Sequence, residues 1–491
     1  MPVNKDFYML AGSSGQSTGF EINQSARFNQ GDGAYLQDPN SNAGDSRKKF
    51  TFSTWFKRGN FGDNIYFYSY RYDDNNLNNL YFDTNDKLNW IDKSGGSTQM
   101  NLITNRVFRD PSAWYHIVLQ WDTAQDISGD RAKMFINGSR VTDFGTETYP
   151  SLNADSGGAN RAAANMRVAA LGSNAGITDF FDGYFAETHY SDNYSYGPEY
   201  FGEFDSSNNW IPKEVDISYG AASFYFDYAT ASNLGTNTKG KGNYSEATDQ
   251  GAGLADHDQV LDTPTNNFNT LNPLYETTAV VLSEGNLEGI GSNSSYRRTV
   301  GTQAVVSGKW YYEGYIIKTT VNNPTFGWVL TTPEDWDNYT QPGTGAHEAA
   351  VMAAATGQTH VGKAYVNNTL SSSYTSTTAA GDIFGIAIDF DNLGFYIHKN
   401  GTYYNSGDPT SGSSKTGSLD ASGLEANEYT PALGCQDSNS SAYLNFGQDG
   451  TFGGLTSAGG NSDSNGIGNF KYSVPSGYLA LCSKNLYKAG G

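Results

Sequence analysis

Cysteine is nearly absent from this chain: Cys435 and Cys482 are the two in 491 residues. So long a chain would need many more for a disulfide scaffold, and both are read as free, buried thiols. Positive charge is also in short supply, with 30 Lys and Arg against 51 Asp and Glu and a net charge of −21. Such a surface repels phosphate backbones, so nucleic acid is not an expected partner. No stretch approaches the ~18 apolar residues of a membrane span, and the start MPVNKDFYMLAGSSGQSTGF has no basic segment leading into an apolar run. Membrane insertion and signal-directed export are therefore not expected. Helical periodicity is confined to a short Ala-rich patch near His347 to Ala355.

What remains is a sheet former. Aromatics make up 14% of residues against 16% charged, with 34 Tyr and 57 Gly, so Asn, Ser, Thr and Gly rather than ions must carry solubility. In FTFSTWFK, Phe50, Phe52 and Phe56 share one strand face while Thr51, Ser53 and Trp55 share the other. WYHIVLQW likewise aligns Tyr115, Ile117, Leu119 and Trp121. RAKMFINGSRVTDF sets Asn137 and Gly138 between two strand-like arms, a hairpin signal because both turn residues need positive φ. In the second half GKWYYEGYIIK alternates Trp310, Tyr312 and Gly314 against Tyr311, Glu313 and Tyr315. GDIFGIAIDFDNLGFYIHKNGTYY then predicts a meander turning at Asp391 to Gly394 and at Asn400 to Gly401. The region from about Pro212 to Leu287 reads mostly as loop, with SFYFDY as a strand returning to the first half.

Several segments carry a family resemblance. ARFNQGDGAYL, FTFSTWFKRG, AWYHIVLQWD, KMFINGSRV and FDGYFAETHYSD, from about Ala26 to Asp192, resemble the concanavalin A-like superfamily in its laminin G-like form. From about Gly308 to Cys482, GKWYYE, the pair Gly327 and Trp328, GDIFGIAID with NLGFYIHKNG, PALG and NFGQ resemble a SPRY domain. FGEFDSSNNWIPK, VLDTPTNNFNTLNP, SEGNL and YSVPSGYLALCSKNL resemble segments of virion proteins of marine tailed bacteriophages. The implied fold is all-β, with two antiparallel β-sandwich (jelly-roll) domains. These are a laminin G-like domain over residues 20–230 and a SPRY-like domain over 288–487, joined by a loop-rich linker over 231–287. Residues 1–19 are expected to form an arm that docks to the virion or to a sister subunit.

The implied role is adhesion. The protein would lie on the virion surface after assembly in the bacterial host cytoplasm, as a tail fibre or host-recognition component. Its partners would be other virion proteins and a host-surface glycan or protein receptor. A capsid decoration or vertex (head fibre) protein is the alternative, and the lack of a coiled coil, collagen repeat or β-helix keeps it open. Homo-oligomerisation, with a trimer as the phage-fibre precedent, comes from the resemblance and from no pattern in this sequence.

A glycan-degrading enzyme is the third reading, because concanavalin A-like folds include glucanases with carboxylates spaced E-x-D-x-x-E on one strand. A retaining mechanism needs two carboxyls about 5 Å apart. The nearest match is EFDSSN, from Glu203 and Asp205, which ends in Asn208 among turn-forming residues. No catalytic residue is therefore expected. The six histidines, at 116, 189, 257, 347, 360 and 398, lack metal-ligand spacing, and His116 and His398 sit in strand patterns. Calcium is the candidate cofactor, at Asp73, Asp74 and Asn75 in the loop YRYDDNNLNN. Ligand binding is assigned to PEDWDNYTQPG, where Trp336 and Tyr339 stand beside Asp335, Asp337 and Asn338; the same segment could instead pack under its own loop or against another subunit. Trp55, Trp114, Trp310 and Trp328 are expected to be structural core.

Overall fold

The computed structural model describes residues 19–38, 42–240, 242–248, 253–275, 280–319, 323–331, 341–356, 361–371, 374–424 and 427–488. The chain divides into two compact units, one spanning residues 14–265 and one holding residues 266–491. Both are built from antiparallel sheets, save that Leu479–Ala480 runs parallel to Lys309–Thr319 in the second. Among the described residues the α-helical content is one six-residue helix, Ser483–Lys488, and no helix is long and apolar enough to cross a membrane.

In the first unit one eight-stranded sheet runs in the order Ser139–Arg140, Ala132–Ile136, Tyr115–Asp122, Lys49–Arg58, Gly183–Asp192, Ser25–Phe28 and Gln259–Val260, with Phe224–Phe226 also on Gly183–Asp192. The facing sheet runs Phe144–Thr148, Ser97–Val107, Lys87–Ser94, Asn76–Phe82, Ile65–Asp73, Asn165–Val168, Ala34–Gln37 and Ser245–Thr248. Period-two side chains meet between them: Phe50, Phe52, Phe56, Ile117, Leu119 and Trp121 pack with Phe67, Leu80, Phe82, Trp90 and Leu102 in one buried cluster. Asn137 and Gly138 take φ of 47° and 76° in the expected hairpin, and Phe224–Phe226 is the returning strand.

The region read as a linker from its composition is threaded with structure. Ser245–Thr248 and Gln259–Val260 each extend a sheet of the first unit. Asp258 and Asp262 reach into that unit's buried cations, Arg27 at 3.0 Å and Lys57 at 2.8 Å, and Trp114 Nε1 donates to Asp262. Val280–Ser283 belongs instead to a sheet of the second unit.

In the second unit a nine-stranded sheet runs Val280–Ser283, Glu288–Gly291, Ser440–Asn445, Lys309–Thr319, Ile383–Asp389, Gly394–Lys399 and Thr402–Tyr403, with Leu419–Asp420 and Leu479–Ala480 alongside. Six strands face it: Arg297–Val300, Tyr429–Cys435, Thr325–Leu330, Ala349–Met352, Ala364–Val366 and Thr369–Ser371. Trp310, Tyr312, Trp328, Ile386, Ile397 and Leu433 fill the space between. The meander turns where expected. The Ala-rich patch is not helical: Ala349–Met352 is a buried strand between two others, and its small side chains are fully covered by tertiary packing that overrides helix propensity.

Candidate functional site

The sequence-derived candidates scatter. Trp336, Tyr339, Asp335, Asp337 and Asn338 lie outside the described residues. At the proposed calcium loop, Asp73 accepts from Asn75 N and Asn76 Nδ2, while Asp74 pairs with Arg71. Those hydrogen bonds hold the Asp73 carboxyl below its ordinary range. Both carboxylates are therefore engaged locally, and no group of three or more His, Cys, Asp or Glu side chains placed to hold a metal occurs among the described residues. Trp310 and Trp328 are core as expected, at 1% and 0% exposure. Trp55 is equally buried but lies outside the main core, in a small cluster with Ile22 and Ala186 on which the half-buried Trp114 and Trp210 pack. Its odd-numbered strand position turns it to the opposite face of the sheet from Phe52 and Phe56.

That outer face holds the densest chemistry in the first unit. The strand Gly183–Asp192 pairs Ala186 with Trp55 and then His189 with Ser53, so one extra residue is inserted. Glu187 sits in this bulge at φ 49°, an uncommon conformation for a non-glycine residue. The insertion breaks the alternation. Phe185 and Tyr190 enter the core, whereas Glu187 and His189 join Ser53, Trp55 and His116 on the outer face.

His116 is held on both ring nitrogens. Nε2 lies 2.9 Å from Ser53 Oγ, and Trp210 Nε1 reaches Nδ1 at 3.1 Å. An indole N–H can only donate, so Nδ1 must accept and the ring proton must sit on Nε2, pointing at Ser53. A base activating that serine would need the reverse tautomer. Burial, reinforced by neighbouring His189, pushes His116 down to about 3, so it is a neutral ring between Trp55 and Trp210. Trp210 reaches it because Gly138 has no side chain: a Cβ there would lie 2.3 Å from the indole.

His189 is finished less completely. Its ring stacks on Tyr225 at 4.2 Å, and Nδ1 shares a hydrogen bond with Tyr219 OH at 2.7 Å. Nε2 is buried with no hydrogen-bond partner, 3.7 Å from Glu187 Oε2. Tyr225 OH donates to that same carboxylate oxygen at 2.8 Å. The gap lined by Ser53, Trp55, His116, Glu187 and His189 has no room for a water molecule. An orphaned buried polar atom costs about 1–3 kcal/mol, and a strained backbone beside it adds roughly 1–3 kcal/mol.

The cover over this face is the hairpin of Gly202–Phe204 and Trp210–Pro212, together with Phe201, Lys213 and Val215. Asp205 shapes the hairpin turn by accepting from Ser207 N, Asn209 N and Asn209 Nδ2, and these bonds hold its carboxyl low. Asp205 does not line the cavity on which Glu203 lies. Glu203 borders that cavity, of about 380 Å³, together with Gly19, Phe20, Ile211, Pro212, Lys213 and Glu214. Phe20, Pro212 and Lys213 also line the closed gap in front of His189, so they form the wall between the two spaces. Sequence reasoning missed this site because its walls come from segments some 180 residues apart, Gly19 and Phe20 on one side and Glu203 to Glu214 on the other.

The second unit carries a related pair on a sheet. His398 Nε2 lies 2.8 Å from Tyr311 OH, and Gly401 N donates to Nδ1. Tyr311 OH, Asn445 Nδ2, Lys471 N and Tyr472 N all donate to Glu313. Burial pushes Glu313 up to about 7 and His398 down to about 3. Gly385 makes room for the imidazole, since a Cβ there would lie 1.9 Å from Nε2.

Residues 29–193 match the family Laminin_G_3, described as the Concanavalin A-like lectin/glucanases superfamily. The match spans the sandwich strands from Ala34–Gln37 to Gly183–Asp192 and so includes the bulge. No curated protein sequence matches the chain. Among solved structures, the SPRY domain of human HERC1 is similar at 14% identity over 34% of this chain and 91% of its own, with a TM-score of 0.26. A human SPRY domain is similar at 17% identity over 34% and 93%, with a TM-score of 0.24. Domains LG4-5 of the mouse laminin alpha1 chain are similar at 10% identity over 84% and 82%, with a TM-score of 0.28.

Proposed function

We propose that the chain is a non-enzymatic adhesive protein on the surface of a tailed-bacteriophage particle, a tail fibre or host-recognition component made of a laminin G-like sandwich followed by a SPRY-like one. The adhesive part of this reading rests on the lectin-superfamily match over residues 29–193, set on a sandwich whose nearest glucanase-like signature is spent on a hairpin turn, and the phage part on the resemblance of FGEFDSSNNWIPK, VLDTPTNNFNTLNP and YSVPSGYLALCSKNL to virion proteins. A receptor-binding role asks for rigid sheets that present side chains. Many copies on one particle then turn weak single contacts into firm attachment. The segment around Trp336 and Tyr339, with Asp335, Asp337 and Asn338, supplies a second contact in this reading, and calcium at Asp73, Asp74 and Asn75 an accessory one.

Two measurements test it. Cryo-electron microscopy of the particle should place copies of the chain at the surface of the tail; copies following head symmetry would favour a capsid decoration protein instead. Incubation of the chain with host-surface polysaccharide should release no reducing sugar. Sustained release would overturn the non-enzymatic assignment.

A further inference from the structure

We infer that the cavity bordered by Phe20, Glu203, Ile211, Pro212, Lys213 and Glu214 is a binding subsite for one neutral pyranose ring of a glycan. This rests on the adhesive reading above and assigns it a place. The volume of about 380 Å³ falls within the ~300–1,000 Å³ of ordinary ligand pockets. Its walls divide into the two surfaces a sugar requires. Phe20, Ile211 and Pro212 offer an apolar side for the C–H face of the ring, and Glu203, Lys213 and Glu214 offer acceptors and a donor for its hydroxyls.

These three charged ends take no hydrogen bond or ion pair within the described residues, so they stand ready for a ligand. Two carboxylates against one ammonium, on a chain of net charge −21, disfavour an anionic ligand. A neutral polyol fits the donor and acceptor balance. Behind the wall of Phe20, Pro212 and Lys213, the buried His189 Nε2 faces the closed gap without a partner. The bulge at Glu187, costly to the fold, holds Glu187 and His189 in that closed gap, behind the subsite rather than in it.

The test is saturation-transfer NMR on the full chain with methyl glycosides of glucose, galactose and mannose, with spermidine and glucuronate as charged probes. At least one neutral glycoside should bind. Glu203→Gln and Glu214→Gln, both at exposed positions, should together weaken it about tenfold or more with the unfolding midpoint unchanged. Phe20→Leu should weaken it separately. Neutral glycoside binding that survives all three changes would overturn the subsite and leave the adhesive reading standing. Spermidine or glucuronate binding that these changes abolish, without neutral binding, would also overturn it. Saturation by host polysaccharide but by none of the small glycosides would reject a one-ring subsite alone; no saccharide binding at all would reject both proposals.

Discussion

Each unit of this chain places a glutamate beside a histidine on a sheet, and the two pairs are completed in opposite ways. In the second unit Glu313 receives four donors and His398 has both nitrogens bonded, so every polar atom of the pair is answered by the protein. In the first, Glu187 takes a tyrosine hydroxyl in a strained bulge, and His189 leaves Nε2 unanswered one wall away from a cavity. The contrast separates structural polarity from polarity held available. A fully bonded buried pair fixes strand packing, whereas one left short of a partner beside open space is suited to a ligand.

Substitution should separate the two pairs. Glu313→Ala strands two buried donors, Tyr311 OH and Asn445 Nδ2, and two half-buried backbone N–H groups, and should cost at least about 2 kcal/mol, seen as a large drop in the unfolding midpoint of the second unit. Glu187→Gly should change the first unit by no more than about 1 kcal/mol, because relief of the positive φ offsets the lost Tyr225 bond. Equal losses at the two sites would show that the first pair is as structural as the second.

Acidity sharpens the same contrast. Glu313 is raised to about 7, so the folded state holds its proton longer than the unfolded chain, and its contribution is lost as pH rises through about 7. His398 is lowered to about 3, so the unfolded chain binds the proton first and stability is lost as pH falls from about 6.5 toward 3. Between about 4.5 and 6.5 the two slopes oppose each other. Relative to the parent, Glu313→Gln should therefore make second-unit stability climb with pH across that window, as followed by thermal unfolding. An identical pH profile for parent and variant would remove the buried-acid account. The smallest expected effect is at the thiols: Cys435 and Cys482, each pushed up to about 12 by burial, should resist maleimide in the folded protein and react after unfolding.

The strands were legible because period-two patterning sorts side chains by face, as Phe50, Phe52 and Phe56 against Ser53 and Trp55 show. The Asn137–Gly138 and Asn400–Gly401 hairpins were legible because positive φ selects those residues. The bulge was not, since one inserted residue at Glu187 reverses the parity of every later position in the strand without leaving a compositional mark. Nor was the anchoring of the supposed linker, where Asp258 and Asp262 look like solvated loop carboxylates until they meet Arg27 and Lys57 more than 200 positions away. The Trp210 to His116 bond that fixes the imidazole tautomer spans 94 positions and is equally invisible to local pattern.

On the proposed function the chain grips a glycan without cutting it. Light scattering coupled to size exclusion, on host-surface polysaccharide mixed with the full chain, reads both properties at once. Co-elution with an unchanged polymer mass is expected. Polymer that shortens with time, or that elutes apart from the protein at every concentration, would contradict it.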